Sequence, residues 1–338
     1  MHTTGYVKYA GALVGLATFS ACAGNSTPAP SNATPHAAYV GNTLSVDGRM
    51  VTAARVNAMP LPRYATIVPD RVEDARTHEY IINGYGTYAS IFNYPKSDKQ
   101  IGTINNVGGQ GCTNVLYGYG KKTFWIVAGP SQITEYQVAH KAIKTLSVTV
   151  GSPSSCAMDA KGNLAVGILY GSGGGDIVIF KHASGTGAVI TTPLAREYFD
   201  GYDDKGNLFF DGFNNASAFE LLELPKGSKT VEQITTSNNV QFPGSVQWDG
   251  TYLTVTDQIP NEMYQYTVSG TKAQLMGTVS LSGASDCAQT WIGKGVVFCA
   301  DAGNSDGEVF SYPAGGSAIA VLGSGLPLPL GTVAANKR

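Results

Sequence analysis

The chain has 338 residues, enough to bury a large core as one closed or repeated fold or as two ordinary domains. Its 42 Gly and 18 Tyr stand against 24 acidic and 22 basic residues, a turn- and strand-forming composition without the Glu and Lys of helix surfaces. The formal charge of -2 excludes a polycationic surface for DNA or RNA and a long acidic tail.

Residues 1 to 22 read as an export segment: Lys8, an apolar run from Tyr9 to Phe19, then Ser20-Ala21-Cys22. The run is shorter than the about 20 residues that cross a bilayer. This segment resembles the signal sequence and lipobox of a bacterial lipoprotein. The resemblance implies a lipid on Cys22, a membrane partner through that lipid and a place in the bacterial cell envelope. Phe19 stands where such boxes carry a smaller aliphatic residue, which leaves ordinary cleavage and secretion as the alternative. Residues 23 to 38, "AGNSTPAPSNATPHAA", have too little to bury and read as a flexible tether. Residues 39 to 78 form an N-terminal extension, as a short helix or as irregular wrapping on the domain.

With Cys22 set aside, Cys112, Cys156, Cys287 and Cys299 are left to pair in an oxidising compartment. Cys287 and Cys299 flank the turn Gly293-Lys294-Gly295 and so face one another across a hairpin; by elimination Cys112 pairs with Cys156 between neighbouring units.

A repeat begins near residue 79. Turn glycines at Gly120, Gly162, Gly206, Gly250 and Gly295 are 42, 44, 44 and 45 residues apart, the size of a four-stranded propeller blade. In each unit a strand enters the turn, a second leaves it ("NLAVGILY", "NLFFDGF", "YLTVTD", "GVVFCAD"), and a third and fourth follow, all short and alternating. Residues 79 to 104 hold the last three strands of such a unit, and "LPLPLGTVAANK" at 326 to 337 resembles a unit opening. The expectation is an all-β, six-bladed β-propeller over residues 79 to 335, with four-stranded blades and a first blade closed by the C-terminal strand. The shared "D-x-K-G-N-L" of Asp159 and Asp203 then reads as a hairpin turn needing φ > 0 at its glycine. "YGSGGGDI" at 170 to 177 lies between strands and lacks a phosphate loop's Lys and Ser/Thr, so it reads as a hairpin loop.

These turns, with the third-strand endings "NYPKSD", "SYPAGG" and "LPKGS", resemble secreted six-bladed propellers of the broad group of NHL-repeat, YncE-like and SMP-30 or gluconolactonase-like proteins. That group ranges from hydrolases to binding scaffolds, so the fold alone carries little functional weight.

The strand that enters each turn reads as the innermost one, and its start places Asn114, Ser155, Asp200, Ser245 and Asp286 at a channel mouth. Asp200 and Asp286 are the candidate ligands for a calcium ion, which takes carboxylate, amide and water oxygens. Gluconolactonase-like enzymes hold such an ion with a Glu as well, and the strand starts as read here, among them "YFDGYDD" at 198 to 204, contain none. Asp211, Asp257 and Asp301 recur after the second strand and read as braces for backbone N–H groups. "DAGNSDGE", which begins at Asp301, superficially suggests a calcium loop without an EF-hand frame. His2 and His36 precede the domain, and His78, His140 and His182 form no zinc set or Ser-His-Asp arrangement; no serine sits in a Gly-x-Ser-x-Gly elbow. Tyr117, Tyr119, Phe124, Trp125, Tyr198, Phe199, Tyr202, Trp248, Tyr252 and Trp291 crowd the first two strands, either as packing between blades or as an aromatic mouth for a sugar or peptide. The sequence thus points to a monomeric envelope protein that binds an envelope protein or glycan on one face, through Asn114, Asp200, Ser245, Asp286 and Trp291. The alternative is a metal-dependent lactonase-like hydrolase.

Overall fold

The computed structural model describes residues 88–138 and 141–336 continuously, with the segments 38–40, 43–46, 49–52, 67–69 and 77–83. Cys22, the lipobox and His140 lie outside the described residues, as do most of the tether and much of the extension. The described pieces of the extension are strands: a three-stranded sheet of Ala38–Val40, Thr43–Val46 and Arg49–Thr52, and the separate strand Ile67–Pro69. No helix among the described residues is long and apolar enough to cross a membrane.

The sequence repeat is an antiparallel four-strand meander. In one copy Arg196–Tyr202 pairs with Leu208–Phe213, which pairs with Phe219–Leu224, which pairs with Glu232–Thr236. Burial falls along that order: the first two strands are buried almost throughout, the third alternates and the fourth is mostly open. A central strand is covered on both faces by neighbouring units, so its sequence is a near-continuous apolar run, whereas an outer strand hides one face and alternates. The innermost strands Gly111–Thr113, Gly151–Met158, Arg196–Tyr202, Pro243–Trp248, Cys287–Ile292 and Pro329–Asn336 adjoin one another in that order, and the last returns to the first. Pro329–Asn336 pairs with Thr77–Asn83, which continues through Tyr88–Phe92 and Gln100–Asn105, with Ile67–Pro69 outermost and Gly120–Lys121 on the inner side.

The hydrogen bonding corrects the expected six-bladed β-propeller, and with it the likeness to the NHL-repeat, YncE-like and gluconolactonase-like group. Four units stand as separate blade sheets: the one built on Pro329–Asn336 and those beginning at Gly111, Gly151 and Cys287. The other two are not separate. Thr235 and Thr236 pair in parallel with Lys272 and Ala273, so that eight strands between Arg196 and Ser282 form one path. Its two ends, Arg196–Tyr202 and Pro243–Trp248, lie against each other, and the path nearly closes into a barrel. The cause is the 11-residue strand Lys272–Ser282, whose first residues reach the open edge of the preceding unit and satisfy its free backbone groups. The result is a propeller-like arrangement of four blades and a nearly closed eight-stranded unit.

Two disulfides fasten this arrangement. Cys112–Cys156 ties the innermost strands of neighbouring units and Cys287–Cys299 ties the first two strands of one unit, with Cα–Cα separations of 5.7 and 5.4 Å. Aromatic rings fill the wedges between units. Tyr80 and Phe124 pack as a tilted pair at 4.0 Å between centroids, and Tyr198, Phe213 and Phe242 meet edge to face. Phe124, Trp125, Tyr198, Phe199, Tyr202 and Trp291 are buried, so most of the aromatic set serves packing; Tyr117 is exposed.

The paired Asp-x-Lys-Gly-Asn motifs are identical turns. Asp159 Oδ1 accepts the N–H groups of Lys161 and Asn163 at 2.9 and 2.8 Å, and Asp203 Oδ1 does the same for Lys205 and Asn207. Each Asn side chain then accepts a backbone N–H from the next hairpin, His182 in one case and Lys226 in the other. The glycines take φ of 80° and 89°, a region only glycine enters freely.

Candidate functional site

The innermost strands present unpaired backbone groups toward the axis, and side-chain amides satisfy them. Gln289 Oε1 accepts N–H groups of Gly111 and Thr332 while its Nε2 donates to Gly111 O. Gln247 spans Leu116 O and Ile292 N, Gln110 donates to Tyr198 O, and Ser245 Oγ donates to Thr290 O and accepts Thr290 N–H. This belt fills most of the axial space. A small cavity remains, lined by Gln110, Asp200, Ser245, Gln247, Gln289 and Trp291 among others, with about 30 Å³ of free volume, room for a water molecule or two.

Three carboxyl groups are buried beside it. Glu197 accepts hydrogen bonds from Ser154 and Ser155 at 3.2 and 2.8 Å, and Gly167 makes room for it, because a Cβ there would stand 1.8 Å from Glu197 Oε2. Burial, and secondarily the neighbouring Asp200, push the Glu197 carboxyl well above its ordinary range despite those two hydroxyls. Burial likewise raises Asp200 to about 8, offset by the Ser155 hydroxyl, and raises Asp211 against the N–H groups of Gly244 and Phe199. Glu197 was missed because the strand start was read from Tyr198. Its signal is a second acidic residue, beside Asp200, in the strand "REYFDGY".

Of the residues expected at the channel mouth, Asp200 and Ser245 line the cavity, together with Trp291 of the expected ligand-binding set. Ser245 is engaged with Thr290, and the Trp291 indole N–H donates to Gly118 O at 2.6 Å. Ser155 serves Glu197. Asn114 is exposed and bridges Lys121 N–H and C=O. Asp286 is buried just before its strand begins, outside the cavity lining, so it is not placed beside Asp200 there. His182 is exposed in a 3-10 turn, and His78 is buried in Thr77–Asn83.

Of the recurrent Asp residues, Asp257 and Asp301 act as braces, whereas neither carboxylate oxygen of Asp211 makes a well-formed hydrogen bond among the described residues. Asp257 accepts the N–H groups of Gln241, Phe242 and Ile259, and Asp301 those of Ser285, Asp286 and Asn304. The turn after Asp301 carries more than this brace needs. One carboxylate oxygen each from Asp301, Asp306 and Glu308 lies within 4.8 Å of the others. Ligand oxygens around a calcium ion, at 2.3–2.6 Å from it, are separated by up to about 5 Å, so the three fit one ion. Glu308 is 6 % exposed, its Oε2 has no hydrogen-bond partner, and its Oε1 meets Asn304 only at 3.5 Å. Burial and then Asp301 push Asp306 up to about 6 and Glu308 up to about 7, and no cationic side chain among the described residues opposes either shift. The equivalent turn one unit earlier has Asp257, Glu262 and Tyr264, so its brace works without a third carboxylate. Glu308 is therefore surplus to the brace.

No family model matches the chain, and no curated protein matches it.

Proposed function

We propose that the protein is a metal-dependent hydrolase of the lactonase-like kind, carried at the cell envelope, in preference to a scaffold without chemistry. The observation that carries this reading is the convergence of Asp301, Asp306 and Glu308, with no cationic side chain among the described residues acting on Asp306 or Glu308. Those three residues would hold a divalent cation such as calcium, and a cation bound there supplies Lewis-acid polarisation of an ester or lactone carbonyl. Asp301 is held in place by three backbone N–H groups, while half-buried Asp306 and exposed Asn304 leave the solvent side open. The small volume of the axial cavity supports a substrate bound over this turn rather than on the axis.

A second reading, binding of an envelope protein or glycan by a monomer, is favoured by a groove of about 310 Å³ between neighbouring outer strands, lined by Thr145, Leu146, Val178 and Val189 among others. Elemental analysis of protein purified without chelator, followed by assay against lactones and aryl esters with and without EDTA, separates the two. One equivalent of metal and EDTA-sensitive hydrolysis lost in Glu308→Gln supports the hydrolase. Metal without hydrolysis leaves a scaffold with a structural ion, and absence of metal overturns the cation site.

A further inference from the structure

Glu308 borders a second group of side chains. A carboxylate oxygen of Glu308, Cys287 Sγ and Cys299 Sγ also lie within 4.8 Å of one another, and both cysteines are fully buried. A disulfide sulfur neither donates a hydrogen bond to a carboxylate nor binds a hard cation well, so in the oxidised protein this neighbourhood gives Glu308 nothing to hold. Two thiolates change that. Tetrahedral zinc with Zn–S of about 2.3 Å sets two sulfurs about 3.8 Å apart, a spread that side-chain rotation alone reaches from Cα atoms 5.4 Å apart.

We propose that reduction of Cys287–Cys299 converts this place into a site for a borderline or soft divalent cation such as zinc, held by Cys287 Sγ, Cys299 Sγ and the Glu308 carboxylate. Water or Asp301 completes the tetrahedron. A thiol or phosphine reductant supplies two electrons, the S–S bond breaks and two thiols form; each thiol then loses its proton to solvent as the cation binds. The proposal does not depend on the hydrolase reading, because it concerns the reduced protein and its signal comes from sulfur. It sets Glu308 in two competing roles, with oxygen partners when the disulfide is closed and with sulfur partners when it is open. Among the described residues no such cluster includes Cys112 or Cys156, so the other disulfide is an internal control.

The test titrates cobalt(II) into the full chain after anaerobic phosphine reduction, with a thiol count confirming that both disulfides are open. The expected result is thiolate-to-cobalt charge-transfer absorption with tetrahedral d–d bands, saturating at one equivalent. The oxidised protein shows neither. Cys112→Ser/Cys156→Ser keeps the signal, Cys287→Ser/Cys299→Ser loses it, and Glu308→Gln binds at least tenfold more weakly. A folded, reduced protein without the charge-transfer bands, or with bands untouched by Glu308→Gln, overturns the proposal. Should the reduced chain unfold, zinc must restore its cooperative melting, and failure to do so overturns it equally.

Discussion

Replacing Asp200 by Asn tests the buried carboxyl cluster directly, since the amide keeps the shape and cannot ionise. In the folded protein burial holds the Asp200 proton up to about pH 8, whereas an ordinary aspartate releases it near 3.8. Between those values the folded state binds more protons than the unfolded chain. This contribution to stability is therefore fully present below about pH 4 and is lost as pH rises through about 8. Each fully retained proton gives a slope of about 1.4 kcal/mol per pH unit, so Asp200 alone removes about 4 kcal/mol between pH 5 and pH 8. Glu197 and Asp211 act in the same direction. Urea unfolding with disulfides intact, at pH 5, 6, 7 and 8, should show the wild type weakening as pH rises. Asp200→Asn should gain on it by about 1 kcal/mol per unit. Two parallel stability profiles would refute the argument, because they would mean that Asp200 is already ionised and solvated in the folded state.

The disulfides should differ in worth. Loop-closure entropy assigns about 4 kcal/mol to Cys112–Cys156, with a sequence separation of 44, and about 3 kcal/mol to Cys287–Cys299, with a separation of 12; paired Cys→Ser variants compared in urea should keep that order. Gly167→Ala pushes a Cβ into the Glu197 carboxylate and the Ser155 hydroxyl, and should cost about 3 kcal/mol in the same assay, whereas Gly185→Ala, where a Cβ meets nothing, should pay only for its positive φ. Asp203→Ala removes two backbone bonds and one side-chain bond from its turn and should lower stability by about 1 to 2 kcal/mol, with Asp159→Ala matching it because the geometry is the same. A large difference between the two would show that the motif has a duty beyond the turn.

The strands within each repeat and the chemistry of the turns were legible in the chain itself, because each depends on neighbours within a few residues; the strands of the extension were not. A glycine that must take positive φ, an aspartate two residues before the N–H it accepts, and an apolar run bounded by turns all leave local marks. The partition into six blades was not legible. Whether Thr235–Thr236 ends a sheet or meets Lys272–Ala273 depends on where two outer edges arrive in space, and the repeat period is the same in either case. The candidate site divides in the same way. The brace role of Asp257 and Asp301 follows from their recurrence, and "DAGNSDGE" advertised its oxygens. Glu197 and Glu308 gained their meaning only from folding, which brought Ser154, Ser155 and Gly167 around one, and Asp301, Asp306 and the Cys287–Cys299 pair around the other. A carboxylate's chemistry is set by how much water it loses and which charges share its space. For Glu197 those contacts come from a neighbouring unit and for Glu308 from the strands of its own sheet, and in both cases the loss of water was decided by the tertiary structure.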